Sequence, residues 1–444
     1  MANPIKSIFN IRKEEVPLSI LMFSYFFLVI TTFWILKPLK KTLFITFYDQ
    51  TGVDILEWHM RGSQAELLAK ILNMFVAFLA VIVFSWLANR YRRQMLTYIF
   101  SGFFITSYIV YSMIMNGAGD VTIWTFYLFG DLFTTLMVAT FFAFMNDSVS
   151  PDSAKRLYGV IGLGGVLGGV FGSTFVRIWV DELSLSNWMW VCVVIGIAIV
   201  VLAKYAGEMQ NLSHSDNSAE PKKDKEKEKE KATTNPALDG AKLVFKSKYL
   251  MAIAGIVGLY EIVSTLMDFQ FTSTIEYYLD GPDIGRQFST VFSITNVVSM
   301  FVQLFLTSYV MTRFGVTAAL MFLPMAILVG SAGFIAFPIL WIGSFLNTAD
   351  NGFSYSINQS AKETLYVPTT REEKYKAKAF IDMFIQRFAK AIAVLLSLGV
   401  TILFSEYSSV RWLSIAVLLA VIAWIFLIRF VGKRFDELVS DSVD

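Results

Sequence analysis

Twelve windows of this 444-residue chain are apolar over the roughly 20 residues that a helix needs to cross the hydrocarbon of a bilayer, once polar interruptions are allowed. They fall at residues 17–47, 66–89, 94–115, 121–148, 157–180, 187–206, 249–279, 287–311, 316–336, 338–364, 378–405 and 410–431. Nothing else in the sequence limits the fold as much. In hydrocarbon every backbone N–H and C=O must be satisfied within the protein, which leaves helices for runs of this length. The make-up agrees, with 55% hydrophobic and only 16% charged residues, against roughly 25% charged in a soluble domain. Met1 to Glu15 is polar and the first apolar run is too long for the core of a cleavable signal, so it is read as a spanning helix.

Lys and Arg number 37 and Asp and Glu 35, a formal charge of +2. The run Lys222 to Lys231 alone holds six Lys and four acids, so the rest of the chain is neutral and no nucleic-acid partner is expected. One cysteine, Cys192, and two histidines, His59 and His214, offer no disulfide framework, no Cys/His metal site and no Cys–His catalytic pair. Neither a metal nor a cofactor is expected.

Short-loop cations are retained on the cytoplasmic side and so orient the spans. Odd-numbered loops carry little beyond Arg61, Arg286 and Arg411. Even-numbered loops and the ends carry Lys6, Arg12 and Lys13, then Arg90, Arg92 and Arg93, Lys155 and Arg156, Arg313, Arg371, Lys374, Lys376 and Lys378, and Lys433 and Arg434. Both termini are therefore expected in the cytoplasm. Between the sixth and seventh windows, Gly207 to Gly240 is rich in Ser, Asn, Lys and Glu, and the Lys–Glu alternation of Lys225 to Lys231 has nothing to bury. This reads as a solvated linker that divides the chain into residues 1–206, a charged linker at 207–246, residues 247–432 and a tail at 433–444. The halves echo each other. A polar fourth window ends at Val149-Ser150-Pro151 before Lys155, and a polar tenth ends at Val367-Pro368 before Lys374. The expected fold is an all-α membrane protein of twelve transmembrane helices, in a 6+6 pseudo-symmetric bundle of the major facilitator type.

An ionisable group at bilayer depth costs roughly 2.5 to 3.5 kcal/mol, so each one asks for a partner or a wet cavity. In the first window, Lys37, Lys40 and Lys41 follow a stretch that already spans. Ending the helix there would place three cations on the outer side, against the orientation above. A longer helix is favoured, with Pro38 marking a kink and Lys37 sharing a face with Lys40 or Lys41 through i,i+3 or i,i+4 spacing. The seventh window sets Glu261, Thr265, Asp268 and Thr272 on one helical stripe. The tenth carries Asn347, Asn351, Ser354, Asn358 and Lys362 at helical spacing, with Asp350 and Gln359 beside them. The eleventh carries Asp382, Gln386 and Lys390 on one face, with Arg387 about 140° round from Asp382. Two cations and an acid in that span would cost roughly 7 to 10 kcal/mol facing lipid, so they must point inward. Asp382 is spaced to pair with Lys378, which leaves Arg387 and Lys390 as anion ligands. The fourth window adds Asp131, Asn146 and Asp147, which no spacing groups into a site. Gly159, Gly162, Gly164, Gly165, Gly168, Gly169 and Gly172 give the fifth a glycine-rich face. With no strand before it and no Gly-Lys-Ser/Thr after it, this is a packing surface and not a phosphate loop.

The interior charges thus set Lys37, Lys40, Lys41, Lys362, Arg387 and Lys390 against Glu261, Asp268 and Asp382. Cations on the first, tenth and eleventh spans suit a polyanion such as a phosphate ester, because ammonium and guanidinium groups replace the water around its oxygens. The acids then hold lysines in an empty site or carry a coupling proton. An anion that bridges the two halves would favour their closure, which is an alternating-access mechanism.

Ser360-Ala361-Lys362-Glu363-Thr364-Leu365-Tyr366-Val367-Pro368, followed by Lys376, Lys378, Phe380, Ile381 and Asp382, then Arg387 and Lys390, resembles the nucleotide transporter family of plastids and intracellular bacteria, the ATP/ADP translocases. Lys37-Pro38-Leu39-Lys40-Lys41-Thr42-Leu43 on the first span supports it. So do Asp152, Ala154-Lys155-Arg156, Tyr158 and Gly162-Leu163-Gly164 entering the fifth. The resemblance implies a twelve-helix carrier that exchanges ATP for ADP and phosphate or moves other nucleotides, some members with protons. It maps important charges onto Lys40, Glu261 and Lys362. The sequence departs from the family pattern at Ser153, where an acid is expected, and at Pro38 and Lys41, which stand at acidic positions and leave the site more cationic.

The expected function is secondary transport of a nucleotide or another phosphate-bearing anion, with Lys37, Lys40, Lys41, Glu261, Asn358, Lys362, Arg387 and Lys390 binding substrate and Asp268 and Asp382 coupling or gating. Proton or phosphate coupling is open at this point. The expected setting is a bacterial inner membrane, and a monomer is the default for the fold. The alternatives are a proton-coupled carrier of a different organic anion or lipid headgroup, and a non-transporting protein that kept the carrier fold. An enzyme is not expected, because no nucleophile with a base and no soluble active-site domain is found.

Overall fold

Pro17 to Tyr48 has no apolar and polar sides to separate, and a helix that is apolar all round is one that is surrounded. In the computed structural model, which describes residues 12–49, 52–55, 58–149, 151–216, 236–370, 373–403 and 407–440, this run is the single helix α1, Val16–Tyr48. At about 1.5 Å per residue its 33 residues measure roughly 50 Å, well beyond one hydrocarbon thickness. The expectation of a long first helix holds, with Pro38 inside it. A short hairpin, β1 (Val53–Ile55) and β2 (Trp58–Met60), leads to α2 (Gly62–Arg90). Then come α3 (Arg93–Ile114), α4 (Asp120–Ser148), α5 (Pro151–Trp179), which starts on proline as a first helical turn allows, and α6 (Leu185–Asp216). The Lys–Glu run at 225–231 lies outside the described residues, as do Lys6 and Arg371. Helix persists to Asp216, past the expected edge at 206, and resumes as the amphipathic α7 (Pro236–Lys246).

After the linker, α8 (Lys248–Tyr278) is capped by the Ser247 hydroxyl, which accepts from the Leu250 N–H at 3.3 Å. α9 (Pro282–Phe301) passes through a π turn at Val302–Thr307 into α10 (Ser308–Ala336). Gly315, with φ +83°, breaks that run between the windows 287–311 and 316–336. Its backbone conformation is one that L side chains rarely adopt, and glycine is the residue that reaches it without strain. α11 (Leu340–Phe353), a π turn (Ser354–Asn358) and α12 (Gln359–Thr364) form the polar tenth segment. The eleventh follows as π turns at Glu373–Ala377 and Ile381–Ile385 around α13 (Lys378–Phe380), then α14 (Gln386–Leu403). The chain ends with α15 (Leu413–Ser440). Among the described residues, ten helical stretches are long and apolar enough to cross a membrane; one of them is the 55-residue stretch Pro282–Ala336 that Gly315 divides.

The helices form two compact units. Unit 1 is Met1–Val53, Ala69–Pro221 and Asp280–Asn296; unit 2 is Asp54–Leu68, Lys222–Leu279 and Val297–Asp444. Each therefore includes a short segment from the other side of the linker. Unit 1 is built on α1, whose Met22, Tyr25, Val29, Ile35 and Leu36 share a core with Phe104, Phe126, Phe133 and Phe141. The glycine face of α5 meets α1 directly: a Cβ added at Gly164, Gly168 or Gly172 would fall 2.6, 2.4 or 2.6 Å from the carbonyl oxygens of Phe23, Phe27 and Thr31. The four-residue step on both helices is the small-residue packing expected of that sequence. Along the far end of α5, Asn296 donates to Ser173 (3.3 Å), Thr174 and Ser293 share a hydrogen bond (2.9 Å), and Arg286 donates to Asp181 (2.7 Å). In unit 2, α8 is central. Gln270 donates to the Val410 carbonyl and the Ser414 hydroxyl, and both Glu276 oxygens accept from the Ser63 N–H at 3.2 Å, which caps the start of α2.

Candidate functional site

Charged side chains from the apolar spans collect in three groups, one in unit 1 and two in unit 2. In unit 1 the lysines of α1 divide between two faces. Lys37 lies with its ammonium 4.5 Å from the Trp34 ring centroid and 4.9 Å from that of Phe292, and Lys41 lies 5.2 Å from that of Phe288. Ring faces attract a desolvated cation, so these two are held by aromatic rings of α1 and α9. Lys40 turns instead to α4, where it forms an ion pair with Asp131 and sits 4.4 Å over the Tyr127 ring. The expected shared face therefore joins Lys37 to Lys41 and leaves Lys40 apart. Adjacent helical residues point about 100° from each other, and the acid on α4 fixes Lys40 in its own direction. A Cβ at Gly130 would stand 2.8 Å from Lys40 Cδ, so that glycine makes room for the lysine stem. Asp131 Oδ2 accepts from the Asn73 amide of α2 at 2.7 Å. Both carboxylate oxygens are thus engaged, as a charge withdrawn from water requires.

The centre in unit 2 is richer in acids. The α8 stripe divides: Glu261 approaches Lys390 of α14 at 3.9 Å, while Asp268 accepts from Asn347 of α11 at 3.4 Å. Between them Ser264 donates to the buried Asp350 at 2.6 Å, and the Tyr355 phenol is within electrostatic reach of Asp350, Lys390, Glu261 and Asp268. Asn358 is buried on the π turn, with an Oδ1 that makes no hydrogen bond among the described residues.

A third group gathers the remaining charges of unit 2. Lys378 pairs with Glu363 at 2.5 Å, so its salt-bridge partner is not Asp382 as the sequence suggested. Asp382 lies within electrostatic reach of both Lys362 and Lys378. Arg387 is half-buried on the first turn of α14, one turn before Lys390. A cavity of about 440 Å³ lies elsewhere in unit 2, lined by Arg61, Ser63, Phe269, Ser273, Glu276 and Tyr407 among others, and none of the expected site residues borders it.

Asn73 and Tyr355 join these centres although sequence reasoning did not name them, and Asp131 and Asp350, which it named in the fourth and tenth windows, join them as partners that it did not assign. Asp131 and Asp350 had a usable signal, an acid inside a span that must find a partner; Asn73 and Tyr355 had none. Chemically, the ammonium and guanidinium groups offer donors for phosphate oxygens, and the carboxylates hold lysines in place.

Ionisable side chains paired with one another inside apolar helices of membrane length are the kind of residues that mark a transport path. In fold the chain is similar to the nucleoside transporter NupG (TM-score 0.60, 14% identity, 94% of this chain and 99% of that one). It is also similar to a bacterial homologue of the human lysosomal transporter Spinster, in an inward-facing and unoccupied conformation (TM-score 0.59, 11% identity, 96% and 98%). The family model described as TLC ATP/ADP transporter matches residues 119–341 and 338–435, and the chain belongs to that family. Among its relatives are ADP,ATP carrier protein 2 of Chlamydia pneumoniae, 20% identical over 98% of this chain and 91% of the relative, and the plastidic ATP/ADP-transporter of Solanum tuberosum, 23% identical over 97% and 74%.

Proposed function

We propose that this protein exchanges nucleotides, ATP against ADP, across a bacterial inner membrane by alternating access, with both termini cytoplasmic. Residues 1–206 and 247–432 act as its two six-helix halves, and the protein works as a monomer. The observation that carries this reading is the trio Lys37, Lys40 and Lys41, held inside unit 1 along a membrane-spanning helix, in a chain whose relatives are named ATP/ADP carriers. Ammonium groups withdrawn from water attract a nucleotide's phosphates strongly in low dielectric. Lys362, Arg387 and Lys390 supply donors from the second half. The Arg387 guanidinium is suited to two oxygens of one phosphate, and Asn358 brings a buried amide to the same helix pair.

Glu261 holds Lys390 and is released when substrate takes that lysine. Asp268 and Asp382 serve as coupling or gating groups. Glu261, Asp268 and Asp350 gather around Tyr355 with Lys390 and are the acids available to carry a coupling proton.

The test is uptake of labelled ADP into proteoliposomes loaded with ATP. Lys40→Ala, Lys362→Ala and Arg387→Ala are each expected to abolish exchange while the protein still inserts and purifies as wild type does. Wild-type exchange by all three would overturn the site assignment. A wild type that exchanges no nucleotide would overturn the reading itself.

A further inference from the structure

We propose that Asp131 is the resident counter-ion of Lys40: it holds the lysine while the site is empty, and a phosphate of the substrate displaces it. This rests on the nucleotide reading above and makes Asp131 a positioning residue, one that acts through Lys40 without being a substrate ligand.

Three observations in unit 1 carry it. First, the lysine is the more deeply buried partner. The Lys40 stem is packed on Gly130 and its ammonium lies over the Tyr127 ring, with the side chain 7% exposed, whereas the Asp131 side chain is 29% exposed. The open side of the pair is therefore the Asp131 side. Second, one element supplies the whole cradle. Tyr127, Gly130 and Asp131 stand at i, i+3 and i+4 of α4, so they face α1 together and orient Lys40 as a unit. Third, the carboxylate has a second anchor. Oδ1 meets Lys40 while Oδ2 accepts from Asn73, so a carboxylate that gives up the lysine keeps a neutral donor on α2. The swap exchanges one anion for another at Lys40 and leaves the ammonium neutralised throughout.

The consequence is a limit on affinity. Phosphate binding at Lys40 contributes only the difference between two ion pairs, which keeps substrate weakly enough held to leave on the other side, as transport requires. Without Asp131, a substrate phosphate meets Lys40 with that competitor gone and is held more tightly.

Two variants in ADP/ATP exchange test this because their effects have opposite signs. Asp131→Asn removes the competitor, so KM for ADP falls by about fivefold or more, at the low end of site-to-site coupling, while kcat falls through slower release. Asn73→Ala removes only the second anchor, so Asp131 clings to Lys40 and KM rises. Asp131→Glu restores near wild-type KM. In detergent, empty Asp131→Asn melts below wild type and ADP raises its melting temperature by more than it raises that of wild type, since a tighter ligand stabilises the folded state further. A merely structural role moves KM the same way in both variants, or lowers kcat alone with no larger ADP shift, and either result overturns the proposal while nucleotide exchange by the wild type stands. If wild type responds to neither ADP, ATP nor inorganic phosphate, the nucleotide reading falls and this proposal with it.

Discussion

The charged centre of unit 1 is cationic and walled by rings, whereas that of unit 2 is acidic and set among hydroxyls and amides. Aromatic faces can hold an ammonium, as they do for Lys37, Lys40 and Lys41. A carboxylate needs donors, and Asp268 and Asp350 take them from Asn347 and Ser264. The tightness of the two lysine–acid pairs also differs. Lys40 and Asp131 are in direct contact with side chains 7% and 29% exposed, while Lys390 and Glu261 stand 3.9 Å apart at 35% and 20%. The first is the tighter pair, which opens only when a competing anion takes Lys40; the second is already loose.

Removing one lysine from each centre should therefore have unequal costs. Breaking a buried pair from one side costs about 3 to 5 kcal/mol, and the partial exposure of Asp131 puts Lys40→Ala near the lower figure. A pair as open as Lys390 with Glu261 is worth about 0 to 1 kcal/mol, so Lys390→Ala should leave the melting temperature of the empty protein almost unchanged. Thermal unfolding of the two purified variants decides it; equal losses would erase the distinction between the centres.

A methyl group sharpens the same contrast at smaller scale. The Cβ of Gly130→Ala would stand 2.8 Å from Lys40 Cδ, so the lysine stem must move and the Asp131 pair loosens. Overpacking of this kind costs about 1 to 3 kcal/mol, and exchange should fall about tenfold or more as Lys40 leaves its position. Gly343→Ala, in unit 2, meets its nearest neighbours at 3.4 Å and beyond, which is ordinary contact, and should be close to silent in both assays. If Gly130→Ala exchanges ADP as wild type does, the position of Lys40 is not critical.

The spans were legible because the apolar period of a membrane helix is a property of the local sequence. The windows 17–47 and 249–279 differ from α1 and α8 by a residue at each end. The residues that needed partners were legible too, since Lys40 or Glu261 inside a span is a conflict visible without coordinates. Which partner each would find was not. Lys40 chose Asp131, 91 positions away, because α4 presents Tyr127, Gly130 and Asp131 toward it, and nothing in the sequence fixes how two helices are turned about their axes. The π turns at Ser354–Asn358 and Ile381–Ile385 hid more. Each fits an extra residue into a turn and rotates the helix beyond it, which a face counted at 3.6 residues per turn does not anticipate. The glycine face of α5 was read correctly because close approach leaves a direct mark, small residues every fourth position.

The smallest expected effect lies where the first helix ends. Asp49 follows the last residue of α1, and burial, reinforced by the like charge of Asp280, raises its carboxyl above the ordinary aspartate range, while the Gly281 N–H pulls the other way. A carboxyl whose pKa is higher in the folded protein binds its proton more tightly there than in the unfolded chain. Its stabilising contribution is therefore complete below the unfolded value of about 3.9 and is lost as pH rises through the raised folded value. At neutral pH the ionised group weakens this end of unit 1. Asp49→Asn keeps the shape and removes the charge, so it should raise the melting temperature slightly at neutral pH and have no effect in acid. Melting curves of Asp49→Asn and wild type between about pH 4 and pH 8 would show it, and curves that run parallel across that range would remove Asp49 as a titrating group.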